Sequence, residues 1–160
     1  MQSPAAPPLA ERAQQPHNNQ TMAYLTLFFT ALGAATILPF YSEVVLLSML
    51  YQGLSPTYLW LSATLGNTLG SLINWVMGRY LLHFQDRRWF PFKPAQLENA
   101  QRQFNRYGVW TLLFAWLPIG GDALTFIAGI LRVNAVVFTV LVAIGKGARY
   151  GALIWLGTAF

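Results

Sequence analysis

The chain has 160 residues, of which 55% are hydrophobic and only 9% are charged, and its mean hydropathy is +0.42. A soluble domain carries about a quarter charged residues, so this composition excludes an ordinary soluble protein and indicates an integral membrane protein. The absence of cysteine excludes disulfides and thiolate metal sites, and nothing in the sequence suggests another metal or a cofactor. Much of the positive charge lies in one loop, 79–107. We interpret it as a positive-inside signal and expect no nucleic-acid partner.

The first two predicted units are a disordered tail and a short hairpin. Residues 1–21 are rich in proline, glutamine and asparagine and lack an apolar face, which is typical of disorder. In 22–56, two short apolar runs flank Pro39 and Glu43. Neither run is long enough for an ordinary membrane crossing, so we predict a re-entrant hairpin. An ionisable group inside a membrane segment is costly and usually faces a partner or a watery cavity, which makes Glu43 a candidate functional residue.

The next two predicted units are a crossing helix and a cytoplasmic loop. Residues 57–78 are apolar over the length that a bilayer requires. Within the loop 79–107, the segment PAQLENAQRQFNRYG has apolar residues at spacings of three and four. This spacing predicts an amphipathic helix on an anionic membrane surface.

The second half of the chain repeats the order of the first. Segment 108–132 is a second predicted hairpin, and 133–160 is a second predicted crossing that contains Lys146 and Arg149. A shift of 79 residues aligns the halves without a gap, and it places these residues on each other: Pro39 and Pro118, Glu43 and Asp122, Gly66 and Gly145, Asn67 and Lys146.

This repeat predicts the fold class and the topology. One hairpin and one crossing in each half reverse the direction of the second half. We therefore predict an all-α membrane protein built as an inverted repeat, with both termini outside and the loop 79–107 in the cytoplasm. A rival topology stays open, in which 24–38 and 109–117 are full crossings and the repeats are parallel.

Two cations near the middle of the last crossing are further candidates. Lys146 and Arg149 lie three residues apart, hence on one helix face, and are not expected to face lipid. We predict that they point towards Asp122, Glu43 or an anionic ligand. An internal ion pair that only holds the bundle together stays open. Asn67 joins the candidate site, although hydrogen bonding between helices is its simpler role.

The motifs SEVVLLSML, GNTLGSLINWVMGR, NRYGVWTLL, WLPIGGD and GKGARY resemble, in this order and spacing, the DedA family of membrane proteins. This family is defined by the VTT or SNARE-associated domain, and the resemblance is to its small YqaA-like branch. It covers about residues 25–155 and implies two opposed re-entrant hairpins with crossing helices. The matching family positions are Glu43, Gly66, Gly70, Gly78, Arg79, Pro118 and Ala128–Gly129, with Pro39 upstream of Glu43.

The resemblance also implies a function at the bacterial inner membrane: transbilayer movement of lipids, including a phosphorylated polyprenyl lipid, and proton-linked envelope homeostasis. We predict a transporter or flippase-like protein for an anionic lipid or small anion, gated by protonation of Glu43 and Asp122. Many DedA proteins carry arginines where this chain has Ala115 and Gly121. The cations that bind the anion are therefore expected to be Lys146 and Arg149.

Two other functions stay open. An accessory factor in envelope homeostasis would use its polar residues only to fold. An intramembrane hydrolase would use Glu43 and Asp122 as an acid-base or metal pair, but the membrane segments contain no histidine or cysteine to complete such a site, so we expect no enzyme. Because 160 residues make a small transporter, a homodimer is one arrangement that would enclose a path.

Overall fold

The computed structural model describes residues 9–34, 41–81, 93–117 and 120–159, and within these ranges the protein is helical without strands. The predicted all-α class is therefore confirmed. Pro39 and Pro118 lie outside the described residues. A 3-10 helix, Gly108–Phe114, accompanies six α-helices: α1 (Leu9–Ala34), α2 (Tyr41–Tyr51), α3 (Pro56–Leu81), α4 (Pro94–Tyr107), α5 (Gly121–Ile130) and α6 (Ala135–Ala159).

Both predicted crossing segments are long helices. α3 covers the predicted 57–78, and α6 lies within the predicted 133–160. Each is long enough to span a bilayer, since 25 or 26 residues extend over about 38 Å. Among the described helices, α6 is the one that combines this length with sufficient apolar character. The polar residues in the middle of α3 lower its hydropathy.

The first arms of the two halves differ from each other and from the predictions. α1 begins at Leu9, so residues 9–21 are helical where the sequence predicted disorder. The stretch LAERAQQ consists of strong helix formers, but Pro16 and the two asparagines that follow disfavour a helix interior, and the continuation of α1 through them has no physical explanation in the structure. The first arm of the second half is the seven-residue 3-10 helix. At about 14 Å it is shorter than a bilayer core, whereas α1, with 26 residues, is as long as α3, so the two first arms do not choose between the predicted and the rival topology.

The connection from each short helix to the next long helix is the same in both halves at the offset of 79. α2 and α5 end at equivalent residues, and α3 and α6 begin at equivalent residues. The left-handed position after the short helix is Gly53 (φ 83°) in one half and Arg132 (φ 55°) in the other. Two main-chain hydrogen bonds recur there. In the first half the N–H of Gly53 donates to Leu50 and that of Leu54 to Met49. In the second half the N–H of Arg132 donates to Gly129 and that of Val133 to Ala128.

The helices pack in matching ways in the two halves. α1 packs against α3, and the 3-10 helix packs against α6. The short helix α5 packs against α3 of the other half, whereas α2 contacts both α6 of the other half and α3 of its own. A Cβ atom on Gly66 would lie 2.2 Å from the Phe28 carbonyl oxygen, and one on Gly145 would lie 2.6 Å from that of Leu113. Both glycines therefore permit close approach of the first arm to its long helix.

The remaining motif residues of α3 also serve packing. A Cβ atom on Gly78 would lie 2.0 Å from the Phe126 carbonyl oxygen, so this glycine sets the distance between α3 and α5. Gly70 is buried. The Arg79 guanidinium lies 5.2 Å from the centre of the Trp75 ring, a cation–π contact at the end of α3.

The amphipathic helix of the loop is present as α4, but its apolar face is partly covered by protein. Ala100 and Phe104 are buried in one apolar cluster with residues of α5 and the 3-10 helix. The prediction that this face lies on the membrane is therefore wrong for these two residues. Periodicity shows that a helix has an apolar face, but not whether protein or lipid covers it. Gly108, with φ 61°, follows the last residue of the helix, a position that favours glycine.

Two apolar clusters occupy opposite ends of the long helices. One gathers Trp75 of α3 with Phe138 and Val142 of α6, and the other gathers Leu59 of α3 with Tyr150 of α6. The middle of the bundle, by contrast, is polar. There α3 buries a row of polar side chains at helical spacing: Thr64, Asn67, Thr68, Ser71 and Asn74.

Candidate functional site

The centre of the polar layer is a contact between Lys146 and Asn67. Each is the twelfth residue of its helix, so the contact lies close to the middle of α3 and α6. Lys146 is only 3% exposed. Its Nζ donates to the main-chain oxygen of Asn67 at 3.3 Å and also to the side-chain Oδ1. A buried ammonium is thus held by a neutral amide.

A second pair of contacts extends this layer to α2. The Asn67 Nδ2 donates to the Tyr150 hydroxyl at 2.6 Å. The Tyr150 hydroxyl lies 2.9 Å from the Ser42 hydroxyl at the start of α2. Tyr150 is 1% exposed and Ser42 is fully buried. Three helices therefore meet through one tyrosine oxygen.

Glu43 forms an ion pair with Arg149, which joins the first turn of α2 to α6. The guanidinium also donates to the main-chain oxygen of Trp116 at 2.8 Å. Both charged side chains keep some exposure, 20% for Glu43 and 13% for Arg149. Glu43 is thus one of the partners that the sequence offered for Arg149, and the geometry selects it.

Asp122 occupies the equivalent first turn of α5, but its surroundings differ. Its main-chain oxygen accepts a hydrogen bond from the Thr125 hydroxyl at 2.7 Å. Its carboxylate is close enough to Lys146 for the two charges to interact electrostatically. Within the described ranges, however, no ion pair joins Asp122 to Lys146 or Arg149. The direct pair that the sequence offered as one arrangement is not formed, and a close approach of Glu43 to Asp122 stays a prediction.

A groove of about 410 Å³ runs beside Arg149. The residues that α6 contributes lie three or four apart, so the groove follows one face of this helix. Apart from the guanidinium, its lining side chains are apolar or small. Such a surface can hold an amphiphile with an anionic group at the cation and an apolar chain along the helix. The lining consists of Trp116, Gly145, Ala148, Arg149, Ala152, Leu153 and Leu156.

The predicted site residues therefore fall into two groups. Arg149 lines the groove and Glu43 pairs with it, whereas Lys146 and Asn67 are buried and are not part of the lining, with Asp122 near Lys146. The sequence analysis missed Ser42 and Tyr150. A signal for the layer was present in α3, where Thr64, Asn67, Thr68 and Ser71 share one face of an otherwise apolar segment.

The chain matches the family model described as VTT domain over residues 38–159. It is 38% identical to the "Inner membrane protein YqaA" of Escherichia coli over 136 residues, which cover 84% of this chain and 91% of that protein. It is 36% identical to an "Uncharacterized protein" of Haemophilus influenzae over 142 residues, 84% of this chain and 87% of that one.

A more distant relative has a transporter name. The "Undecaprenyl phosphate transporter A" of Staphylococcus aureus is 33% identical over 128 residues, which cover 72% of this chain and 63% of that protein. No solved structure matches the chain. The family model and the YqaA match confirm the resemblance seen in the motifs: the chain belongs to the DedA family of VTT-domain membrane proteins.

Proposed function

We propose that this protein moves an anionic lipid across the bacterial inner membrane, with Glu43 and the groove at Arg149 as its binding and gating element. The observation that carries the proposal is the double role of one guanidinium. Arg149 pairs with Glu43 and also lines an otherwise apolar groove. An anionic headgroup in this groove and the Glu43 carboxylate would compete for the same cation.

This competition supplies a physical coupling between anion and proton. When Glu43 is ionised, it occupies Arg149 and weakens the binding of an anion. When Glu43 takes up a proton, the guanidinium is left without its counterion and favours a headgroup phosphate, which it can bind in bidentate geometry. Anion binding and protonation then promote each other by linkage. One proton would accompany each anion.

The proposal includes the inverted repeat with re-entrant hairpins. The recurring connections at an offset of 79 residues and the contacts of α2 and α5 with the long helix of the other half support two equivalent halves. A short helix of 10 or 11 residues is about 16 Å long, half of a bilayer core. The carboxylates in the first turns of these helices would then lie at membrane depth.

The relatives support the location and guide the choice of substrate. The Escherichia coli relative is named as an inner membrane protein, and the Staphylococcus aureus relative as an undecaprenyl phosphate transporter. A phosphorylated polyprenyl lipid is therefore the first substrate to test. None of these relatives is named as an enzyme, and the proposed exchange of partners at Arg149 makes and breaks no covalent bond.

Lipid translocation in reconstituted vesicles tests the proposal. Wild type and Glu43→Gln are compared over a pH series, with a fluorescent polyprenyl phosphate as substrate. Glu43→Gln is fixed in a neutral form. It is therefore expected to bind the lipid but to lose the pH dependence and net translocation, whereas Glu43→Asp should keep part of both.

Arg149→Gln is the matched variant on the other side of the ion pair, and it should lose lipid binding itself. Thr125→Val, which removes a buried hydroxyl bonded to the Asp122 main chain, serves as the control for general damage. Wild-type translocation and an unchanged pH profile in Glu43→Gln would show that the pair only holds the fold. That outcome would favour the accessory-factor alternative.

A further inference from the structure

Lys146 and Arg149 lie one helical turn apart but do not face the same surroundings. Arg149 lines the groove, whereas Lys146 is absent from its lining although its neighbours Gly145 and Ala148 are part of it. The ammonium is 3% exposed and bonds to the two oxygens of Asn67. A headgroup in the groove would therefore meet Arg149 and not Lys146.

The first two hydrogen bonds on the way from Lys146 to Ser42 have a fixed direction. An ammonium has no acceptor, so the Asn67 atom facing Lys146 must be Oδ1. The Asn67 Nδ2 must then donate to the Tyr150 oxygen. The Tyr150 and Ser42 hydroxyls bond to each other, and either of them can be the donor. The charge of Lys146 thus polarises the bonds from Lys146 through Asn67 to Tyr150 in the same sense.

The end of this chain adjoins the proposed gate. Ser42 is the residue before Glu43 in the first turn of α2. The bond to Tyr150 fixes this turn against α6, three residues of which (Lys146, Arg149 and Tyr150) face α2, α3 or the groove. All four members of the chain are at least nine-tenths buried.

We infer that Lys146, Asn67, Tyr150 and Ser42 form a positioning relay that holds Glu43 against Arg149. Lys146 is then a positioning residue, which acts through Asn67 and Tyr150, and not a ligand of the transported anion. The role of this relay in gating rests on the proposed function. How tightly the relay holds the Glu43–Arg149 ion pair is a separate claim that can be tested without transport.

The rate at which dicyclohexylcarbodiimide labels Glu43 reports how tightly the Glu43–Arg149 ion pair is held, and it requires no transport assay. The reagent is lipid-soluble and adds to protonated carboxyl groups, so an ionised Glu43 held by Arg149 should react slowly. The purified protein is labelled in vesicles, and the rate at Glu43 is read by peptide mass spectrometry as the labelled fraction of the peptide that contains it. Loss of a relay bond should accelerate labelling of Glu43 by about fivefold, the effect of one buried hydrogen bond.

The variants are chosen so that each step of the relay is tested. Tyr150→Phe, Ser42→Ala and Lys146→Met should all accelerate labelling, and Ser42→Thr, which keeps a hydroxyl, should restore the slow rate. Lys146 and Ser42 do not bond to each other, so the Lys146→Met/Ser42→Ala double variant should label no faster than the faster of the two single variants. Arg149→Gln is the reference for a fully released Glu43, and Thr125→Val is the control outside the relay.

The outcomes separate this inference from the proposed function. Fast labelling in Arg149→Gln together with wild-type rates in Tyr150→Phe and Ser42→Ala would overturn the relay. Additive effects in the double variant would also overturn the relay, and so would slow labelling of Glu43 in Arg149→Gln. Accelerated labelling in the relay variants of a protein that moves no lipid would leave the relay standing and remove the transporter proposal. Because Ser42→Ala and Tyr150→Phe each remove only a hydroxyl oxygen relative to wild type, the test does not depend on whether Lys146→Met folds.

Discussion

The two halves of the chain share their connections but not their charges. At equivalent residues each half has the same left-handed turn, the same two main-chain hydrogen bonds and a glycine pressed against a carbonyl of its first arm. Glu43, however, has an arginine partner, whereas Asp122 interacts with Lys146 without forming an ion pair. Both interior cations lie in the second half, on α6.

This difference separates what the repeat requires from what the site requires. Turns and glycine contacts depend on backbone geometry, which either half needs in order to fold. Charges in a membrane interior are costly and need partners, so they are present only where they are paired or used. We therefore expect paired variants in the two halves to behave alike when they test the backbone, and differently when they test charge.

The largest expected effect concerns the direction of the two halves. If the second half is inverted, cysteines in place of Ser3 and Thr158 should react with an impermeant maleimide only from outside the cell. A cysteine in place of Glu98 on α4 should react only from the cytoplasm. The cysteine-free background makes each label unambiguous. Labelling of position 3 from the cytoplasmic side alone would show that the two halves are parallel and would contradict the inverted repeat.

The next largest effect concerns the two equivalent glycines. Gly66→Ala and Gly145→Ala each place a Cβ atom within 2.6 Å of a backbone oxygen, and backbone cannot move aside as a side chain can. Each should destabilise the protein by about 3 kcal/mol, as measured by thermal unfolding in detergent. Gly33→Ala is the control, since its Cβ would meet nothing within 4 Å. A large loss at Gly66 with none at Gly145 would show that the second half packs less tightly than described.

A smaller effect is expected from the charges. A double-mutant cycle of Glu43→Gln and Arg149→Gln should give a coupling of about 2 kcal/mol, because the two groups pair directly and are mostly buried. The cycle of Asp122→Asn with Arg149→Gln should be nearly additive, and that of Asp122→Asn with Lys146→Met should fall between. Equal coupling in the first two cycles would mean that Arg149 is shared by both carboxylates.

The smallest effect is expected at the left-handed turn. Arg132 adopts a positive φ that favours glycine, which its counterpart Gly53 supplies. Arg132→Gly should therefore be more stable than Arg132→Ala by about 1 kcal/mol, and Gly53→Ala should cost a similar amount. Both Arg132 variants lose the charge, so their difference isolates the backbone. Equal stability of the two would indicate that the turn in the second half relaxes in solution.

The sequence predicted the parts of the fold that depend on local pattern. Long apolar runs gave α3 and α6, and the spacing of apolar residues gave α4. The offset of 79 residues, seen first in a few identities, coincides with helix boundaries and turn hydrogen bonds. The end of the tail was less predictable, since α1 begins at Leu9 and continues through Pro16, a residue that disfavours a helix interior.

The partners within the site were not predictable in the same way. Sequence placed Lys146 and Arg149 on one face of a helix, but their partners depend on how α2, α3 and α5 are rotated around α6. The observed rotation pairs Glu43 with Arg149 in an ion pair and brings Asn67 into hydrogen bonding with Lys146. Tyr150 and Ser42 were missed because neither is charged, and a tyrosine or a serine in an apolar segment does not by itself indicate a functional site.

The contact between Asn67 and Lys146 has a further consequence, because the two are the same position of the repeat. If the halves form the proposed inverted repeat, equivalent residues that touch each other lie beside the axis that relates the halves. Had both halves a lysine there, a lysine would face a lysine, two donors with no acceptor between them. Two asparagines could pair, but without a charge. A buried ammonium held by an amide at this position therefore requires two halves that differ in sequence.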